Sequence, residues 1–189
     1  ATSIGANSDL PIELQVNNHG SFAGTASVRL SILTAGGEQV IALPAQEVRL
    51  EANSSQVISN AWNTGLTLAG SYQVKAELLD TSGQPYSDAT ANFAIAAGEQ
   101  ILTANVVADK QSYLSSDTVA IRSRVANLSL NSLQENLQIR TELLDVAGAI
   151  RWQQSESLPQ LLASSLKDYA YSFPLANAVS GNYVLRLAV

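Results

Sequence analysis

The stretch Gly70-Ser71-Tyr72-Gln73-Val74-Lys75-Ala76-Glu77-Leu78 returns later as Gly181-Asn182-Tyr183-Val184-Leu185-Arg186-Leu187-Ala188-Val189. In each copy a glycine and a small polar residue precede a tyrosine, and from the tyrosine onward every second residue is apolar. That spacing is the mark of a strand with one buried face. The tyrosines stand 183 − 72 = 111 positions apart, a separation suited to a repeated domain. The expected fold is all-β, with two tandem antiparallel β-sandwiches joined by a short linker.

Working outward, the same unit can be followed through both halves. Ile12, Leu14 and Val16 alternate with Glu13 and Gln15 and stop at Asn17-Asn18-His19-Gly20, a cluster that favours a turn. Val119, Ile121, Ser123 and Val125 repeat this with Arg122 and Arg124 outward. Ala26, Val28, Leu30 and Ile32 precede a glycine hairpin at Gly36-Gly37, and Leu137, Ile139, Thr141 and Leu143 precede Gly148 at the same offset. Trp62 and Phe173 also correspond at that offset. Residues 1–7 read as a lead-in, and Tyr86 to Ile95 as the last strand of the first domain, burying Ala89, Ala91, Phe93 and Ile95. Pro44 and Pro159 are expected to break strands, because proline cannot donate to a ladder. No long helical periodicity occurs. The domains are expected at 1–97 and 98–189, with Ala96-Ala97-Gly98-Glu99 as the junction and the second domain short of its last strand.

The repeat is out of step at its ends. The strand Ile101 to Ala108 would have its counterpart mostly before Ala1, and the strand Tyr86 to Ile95 would have its counterpart after Val189. An unpaired sheet edge invites association. The expectation is either a fragment of a longer array or strand-mediated self-association, in which a neighbouring chain supplies the strand. The absence of methionine reads the same way, as a processed product or a piece of a longer chain.

Composition narrows the function. The formal net charge is −6, and the ten basic residues are scattered, which argues against nucleic acid as a partner. No apolar run approaches the roughly 20 residues that a helical membrane span needs. With no cysteine, disulfides, thiol catalysis and cysteine-ligated zinc are excluded.

The pattern V-x-N-x-G or V-x-N-x-S after a strand (Val16, Asn18, Gly20; Val125, Asn127, Ser129), a hairpin glycine, and an aromatic residue before G-x-Y-x-V-x-A resembles the immunoglobulin-like repeats of bacterial extracellular proteins. The closest flavours are the CARDB-type, macroglobulin-type and fibronectin type III-like modules. The resemblance implies an extracellular or cell-surface protein whose modules serve as spacers, adhesive units or attachments to a catalytic domain. It also implies a tyrosine corner in each domain, with Tyr72 reaching toward Leu68 and Tyr183 toward Val179.

No residue is assigned to catalysis, to a cofactor or to a metal. His19, the only histidine, has no G-x-S-x-G serine elbow to serve, and the acids are too dispersed for a calcium loop. Glu99 and Asp109 could contribute to a calcium site at the junction, but the reading as turn residues is preferred. Trp62, Tyr169, Tyr171 and Phe173 fall on inward positions, which favours a core over a sugar platform; Trp152 and Tyr113 are left open. Lys75, Lys110 and Lys167 sit at polar positions, so no lysine cross-link is expected. Asn53-Ser54-Ser55 and Asn127-Leu128-Ser129 match the glycan acceptor pattern. The residues singled out are structural: Tyr72, Tyr183, Trp62, Phe173, Gly70 and Gly181. The functional expectation is a non-enzymatic structural or adhesive module pair of a larger bacterial secreted or surface protein. Its partners would be other domains of the same parent chain, with a protein or glycan ligand. The alternative is a carbohydrate-binding or accessory pair of a secreted hydrolase.

Overall fold

A computed structural model describes residues 2–176 and 178–189. It is all-β, with no helix among the described residues. The chain divides into two compact units, Ala1–Gly98 and Glu99–Val189.

The first unit contains β1 (Thr2–Ile4), β2 (Asp9–Asn18), β3 (Gly24–Thr34), β4 (Gln39–Ala42), β5 (Gln46–Leu50), β6 (Ser54–Asn63), β7 (Gly70–Leu79) and β8 (Pro85–Ile95). One sheet runs β1-β8-β7-β3-β4, with β5 also on β3, and the other is the pair β2-β6. All pairings are antiparallel except β1 with β8. Alternation along each strand sends one face inward. Leu10, Ile12 and Val16 of β2 and Ile58 and Trp62 of β6 meet Val28, Leu30 and Ile32 of β3 and Phe93 and Ile95 of β8 in one core. Ile32 has no exposed surface, and truncating such a residue to alanine costs about 2–5 kcal/mol.

The second unit contains β9 (Leu102–Ala108), β10 (Thr118–Asn127), β11 (Gln134–Asp145), β12 (Ile150–Leu161), β13 (Ser165–Pro174) and β14 (Tyr183–Ala188). Its sheets run β13-β10-β9 and β12-β11-β14, the strand arrangement of an immunoglobulin-like sandwich. Ile121 and Val125 of β10 and Ile139 of β11 are buried between them. The repeat holds in the pairing as well as in the sequence. Thr34 faces Tyr72 across β3-β7, and Asp145 faces Tyr183 across β11-β14, so both ladders share the 111-residue offset.

Three expectations are corrected. Thr2–Ile4 is not a loose lead-in but a strand, held by parallel pairing to Phe93–Ile95 and by the Ala96 N–H donating to the Ile4 carbonyl at 2.7 Å. Pro159 does not break a strand. It lies inside β12, an edge strand where a missing donor is tolerated, and Asn136 of β11 takes φ +55 where the ladder skips from Glu135–Gln160 to Leu137–Leu158. Ala89 and Ala91 are exposed, although they share the inward register of Phe93 and Ile95. Among the described residues the sheet facing them has two strands, β2 and β6, where the matching sheet of the second unit has three.

Candidate functional site

Both tyrosine corners are present. Tyr72 Oη donates to the Leu68 carbonyl and Tyr183 Oη to the Val179 carbonyl, each at 2.7 Å. Tyr72 is buried, and burial raises its pKa, whereas Tyr183 is only partly covered. Gly70 opens β7, and a Cβ there would lie 3.7 Å from the Tyr72 ring, an ordinary contact; around Gly181 the space is open. Neither glycine is demanded by crowding.

Most aromatic rings pack in or against the cores, while Phe22 and Tyr86 are exposed. Phe93 stacks on Tyr72 at 5.7 Å and meets the edge of Trp62 at 6.2 Å. In the second unit Trp152 lies 5.6 Å from Tyr171 and 6.3 Å from Phe173, and Tyr169 stacks on Tyr171 at 6.3 Å. Burial pushes the Tyr171 hydroxyl up to about 12. Tyr113 also packs on this core, and its hydroxyl donates to Asp109 Oδ1 at 2.6 Å. Trp62, Tyr72 and Phe93 are buried, whereas Tyr113, Trp152, Tyr169, Tyr171 and Phe173 pack against the second unit's cores while staying partly exposed.

The asparagine of V-x-N is a clamp, a role that its turn-forming tendency does not convey. Asn127 Nδ2 donates to the carbonyls of Ser132, Leu161 and Leu162 at 2.8, 3.2 and 3.1 Å, and its Oδ1 accepts from the Ser129 N–H at 3.1 Å. Asn18 does the same with Phe22, Leu50 and Glu51 at 2.9, 3.3 and 3.0 Å, and with the Gly20 N–H at 2.9 Å. Each clamp ties the end of a strand to the chain that follows it and to a strand on the facing sheet. Asn127 is fully buried, which removes it as a glycan acceptor; Asn53 is exposed.

Charge is organised twice on the outer face of the same ladder. In the first unit Arg29 Nη2 and Lys75 Nζ lie 2.7 and 2.8 Å from the Glu77 carboxylate. Lys75 first and Arg29 second hold that carboxyl below its ordinary range. In the second unit Arg140 and Arg186, at the matching positions, flank Glu142 at 2.8 and 2.5 Å. The Glu142 pKa is lowered, mainly by Arg186, and the arginines leave its side chain with no exposed surface. The bases repeat while the acid moves from β7 to β11.

Asp80 and Asp145 serve turns. Asp80 Oδ1 accepts from the Ser82 and Gln84 N–H groups, and Asp145 Oδ1 from those of Ala147 and Ala149. Gly83 and Gly148, at φ +82 and +80, complete the hairpins in the left-handed region glycine adopts at little cost. His19 is exposed. No group of three or more His, Cys, Asp or Glu residues able to hold a metal occurs among the described residues. A shallow depression of about 430 Å³ at β9-β10-β13 is lined by Asn105, Val107, Arg122, Ser123, Arg124, Asp168, Tyr169 and Ala170. Arg124 and Asp168 pair across its floor at 2.6 Å.

In the first unit β7 pairs with β3 and β8, whereas among the described residues β14, its counterpart, pairs with β11 alone and has β9 of the other sheet beside it. Its inward side chains Tyr183, Leu185 and Leu187 are all partly exposed, whereas Tyr72 and Ala76 are buried.

No family model matches the chain, and no curated protein matches it. Among solved structures it is similar to red sea bream transglutaminase, with 13% identity over 92% of this chain and 26% of that one, at a TM-score of 0.39. It is also similar to the exo-chitosanase of Amycolatopsis orientalis, with 13% identity over 93% of this chain and 24% of that one, at 0.36. A structure of a chaperone–tip adhesin complex in CFA/I fimbriae biogenesis is 12% identical over 100% of this chain and 96% of that one, at 0.34. The chain thus spans about a quarter of the length of the two enzymes. Scores this low carry no argument about activity, and the fold assignment rests on the strand order and register described above.

Proposed function

We propose that the chain is a non-enzymatic pair of immunoglobulin-like modules within a larger bacterial secreted or cell-surface protein, acting as a spacer and as a protein-interaction unit. The observation that carries the reading is how the notable polar side chains are used, twice over. Asn18 and Asn127 clamp strand ends, Tyr72 and Tyr183 lock corners, and the two charge triads lie across matching ladders. Groups bound into such frameworks are not poised for chemistry, and what they secure is two similar rigid units in succession. The resemblance to CARDB-type, macroglobulin-type and fibronectin type III-like modules supports the extracellular setting.

Two measurements test the proposal. Purified chain incubated with a panel of glycan, peptide and ester substrates is expected to give no turnover, and saturable hydrolysis would overturn the non-enzymatic reading. Protease added to intact cells of the source is expected to cleave the parent protein at this region; full protection would refute the surface location. The alternative role, a carbohydrate-binding accessory pair, draws less support because Trp62 is buried and Trp152, Tyr169, Tyr171 and Phe173 pack against the cores.

A further inference from the structure

Of the two N-x-S sequences in the chain, the fold takes one out of use and leaves the other open. Asn127 is buried and spends its amide on the clamp at the end of β10. Asn53 lies exposed in the turn between β5 and β6, and its side-chain amide has no hydrogen-bond partner among the described residues. The turn is fixed by other groups. The Asn53 N–H donates to the Gly20 carbonyl at 3.1 Å, and Ser54 Oγ donates to the Glu51 carbonyl at 2.8 Å. Asn53 stands at φ +48, a backbone that favours asparagine, yet the turn does not demand that residue. At the 111-residue offset Ser164 holds φ +52 and its N–H donates to the Ser129 carbonyl. Ser55 is exposed near the start of β6, and the Glu51 side chain, two residues before Asn53, is 75% exposed. Beside this turn stands Phe22, at 86% the most exposed large apolar residue among the described ones. The Asn18 amide gathers the Phe22 and Glu51 carbonyls at 2.9 and 3.0 Å, so the two turns meet.

We propose that Asn53 is the attachment site of an N-linked glycan, added from a lipid-diphosphate-linked oligosaccharide by a membrane transferase. The acceptor pattern needs an asparagine amide and a hydroxyl two residues on, both at the surface. Asn53 and Ser55 meet that need with no contact to release first. In the transfer, Asn53 Nδ2 bonds to the anomeric carbon of the sugar as that carbon's bond to the diphosphate oxygen breaks. The diphosphate keeps the electron pair, and the proton lost from Nδ2 passes to a base of the transferase. A glycan on Asn53 displaces no side-chain contact, whereas one on Asn127 would break the second unit's clamp. The attached group is bulky and solubilising, and it would stand over Phe22, an apolar ring that the fold leaves bare. The inference rests on the extracellular reading, because the pattern is used in exported proteins.

The test is peptide mapping by mass spectrometry of the full chain, purified from its source and, separately, exported from a host that carries an N-linked oligosaccharyltransferase. In both, the tryptic peptide 50–75 is expected to carry one glycan on Asn53, and the peptide 125–140, which holds Asn127, none. Peptide-N-glycosidase is expected to release the sugar and leave aspartate at 53. Asn53→Ser, which copies the turn at Ser164, and Ser55→Ala, at the position Leu166 fills in the second unit, are each expected to abolish the modification. An unmodified Asn53 in the chain from either preparation would overturn the proposal. So would a sugar mass that persists in either variant, since it would then sit on a hydroxyl. Protease treatment of intact cells reads the location independently: a chain cleaved there that bears no sugar fails this inference alone, and the module reading survives.

Discussion

Removing the amide of Asn127 should cost far more than removing that of Asn18, although the two make the same set of contacts. In Asn127→Ala, the carbonyls of Ser132, Leu161 and Leu162 lose their shared donor, and the Ser129 N–H loses its acceptor in a buried site. A buried polar group left unpaired costs about 1–3 kcal/mol. Carbonyls tolerate this better than N–H groups, so the sum is roughly 3–5 kcal/mol. In Asn18→Ala the contacts to Phe22, Glu51 and Gly20 are exposed, water takes over, and the loss is about 1 kcal/mol. The chain has two tryptophans, Trp62 in the first unit and Trp152 in the second, so Trp62→Phe and Trp152→Phe backgrounds let urea unfolding be read one unit at a time. At a slope of about 1.5 kcal/mol/M, Asn127→Ala should lower the second unit's midpoint by roughly 2–3 M, and Asn18→Ala the first unit's by under 1 M. Equal shifts, or a larger one in the first unit, would refute the claim that burial and not bond count sets the value of the clamp.

Other outcomes follow from the same geometry. Tyr72→Phe should destabilise the first unit by about 1–1.5 kcal/mol through loss of the bond to the Leu68 carbonyl, and Tyr183→Phe should cost the second unit less because its bond is exposed; urea midpoints in the single-tryptophan backgrounds decide the order. Glu142→Ser should lower the second unit's midpoint by leaving Arg140 and Arg186 without their acid, and adding Ala188→Glu, which recreates the arrangement of Ser31 and Glu77, should recover most of it; no recovery would show that the triads are not interchangeable. Glu77, Asp80, Glu142 and Asp145 all have pKa values held below their ordinary range in the fold. Each therefore stabilises the folded state at pH values above the ordinary carboxylate range, and that contribution fades as pH falls through the folded values. The urea midpoint should thus fall between pH 6 and pH 3, and a flat or rising midpoint would contradict this.

The features legible in the sequence are those decided within a few residues or by a repeated spacing. The tyrosine corner links positions four apart, so Tyr72 and Tyr183 declare their partners locally. The β3-β7 and β11-β14 ladders share one offset, so the spacing of Tyr72 and Tyr183 carries their register. Features decided by a distant strand stayed hidden. Ala89 and Ala91 alternate as buried residues should, yet their exposure depends on a facing strand that no local pattern reports. Pro159 reads as a breaker unless β12 is known to be an edge. Thr2–Ile4 is too short to stand out without β8 beside it. The charge triads escaped for a similar reason: the bases keep their offset, but the acid changes strands, so only the cross-strand register shows that Glu77 and Glu142 do the same work.

These two classes of feature bear differently on function. Clamps, corners and triads recur in both units because each solves a problem internal to one sandwich, and a property needed by every copy says little about what a particular copy contacts. Where the units differ, the difference is again internal: both bases keep their register on the β3-β7 and β11-β14 ladders while the acid moves from β7 to β11, so the ion cluster stays in place although the residue that completes it does not.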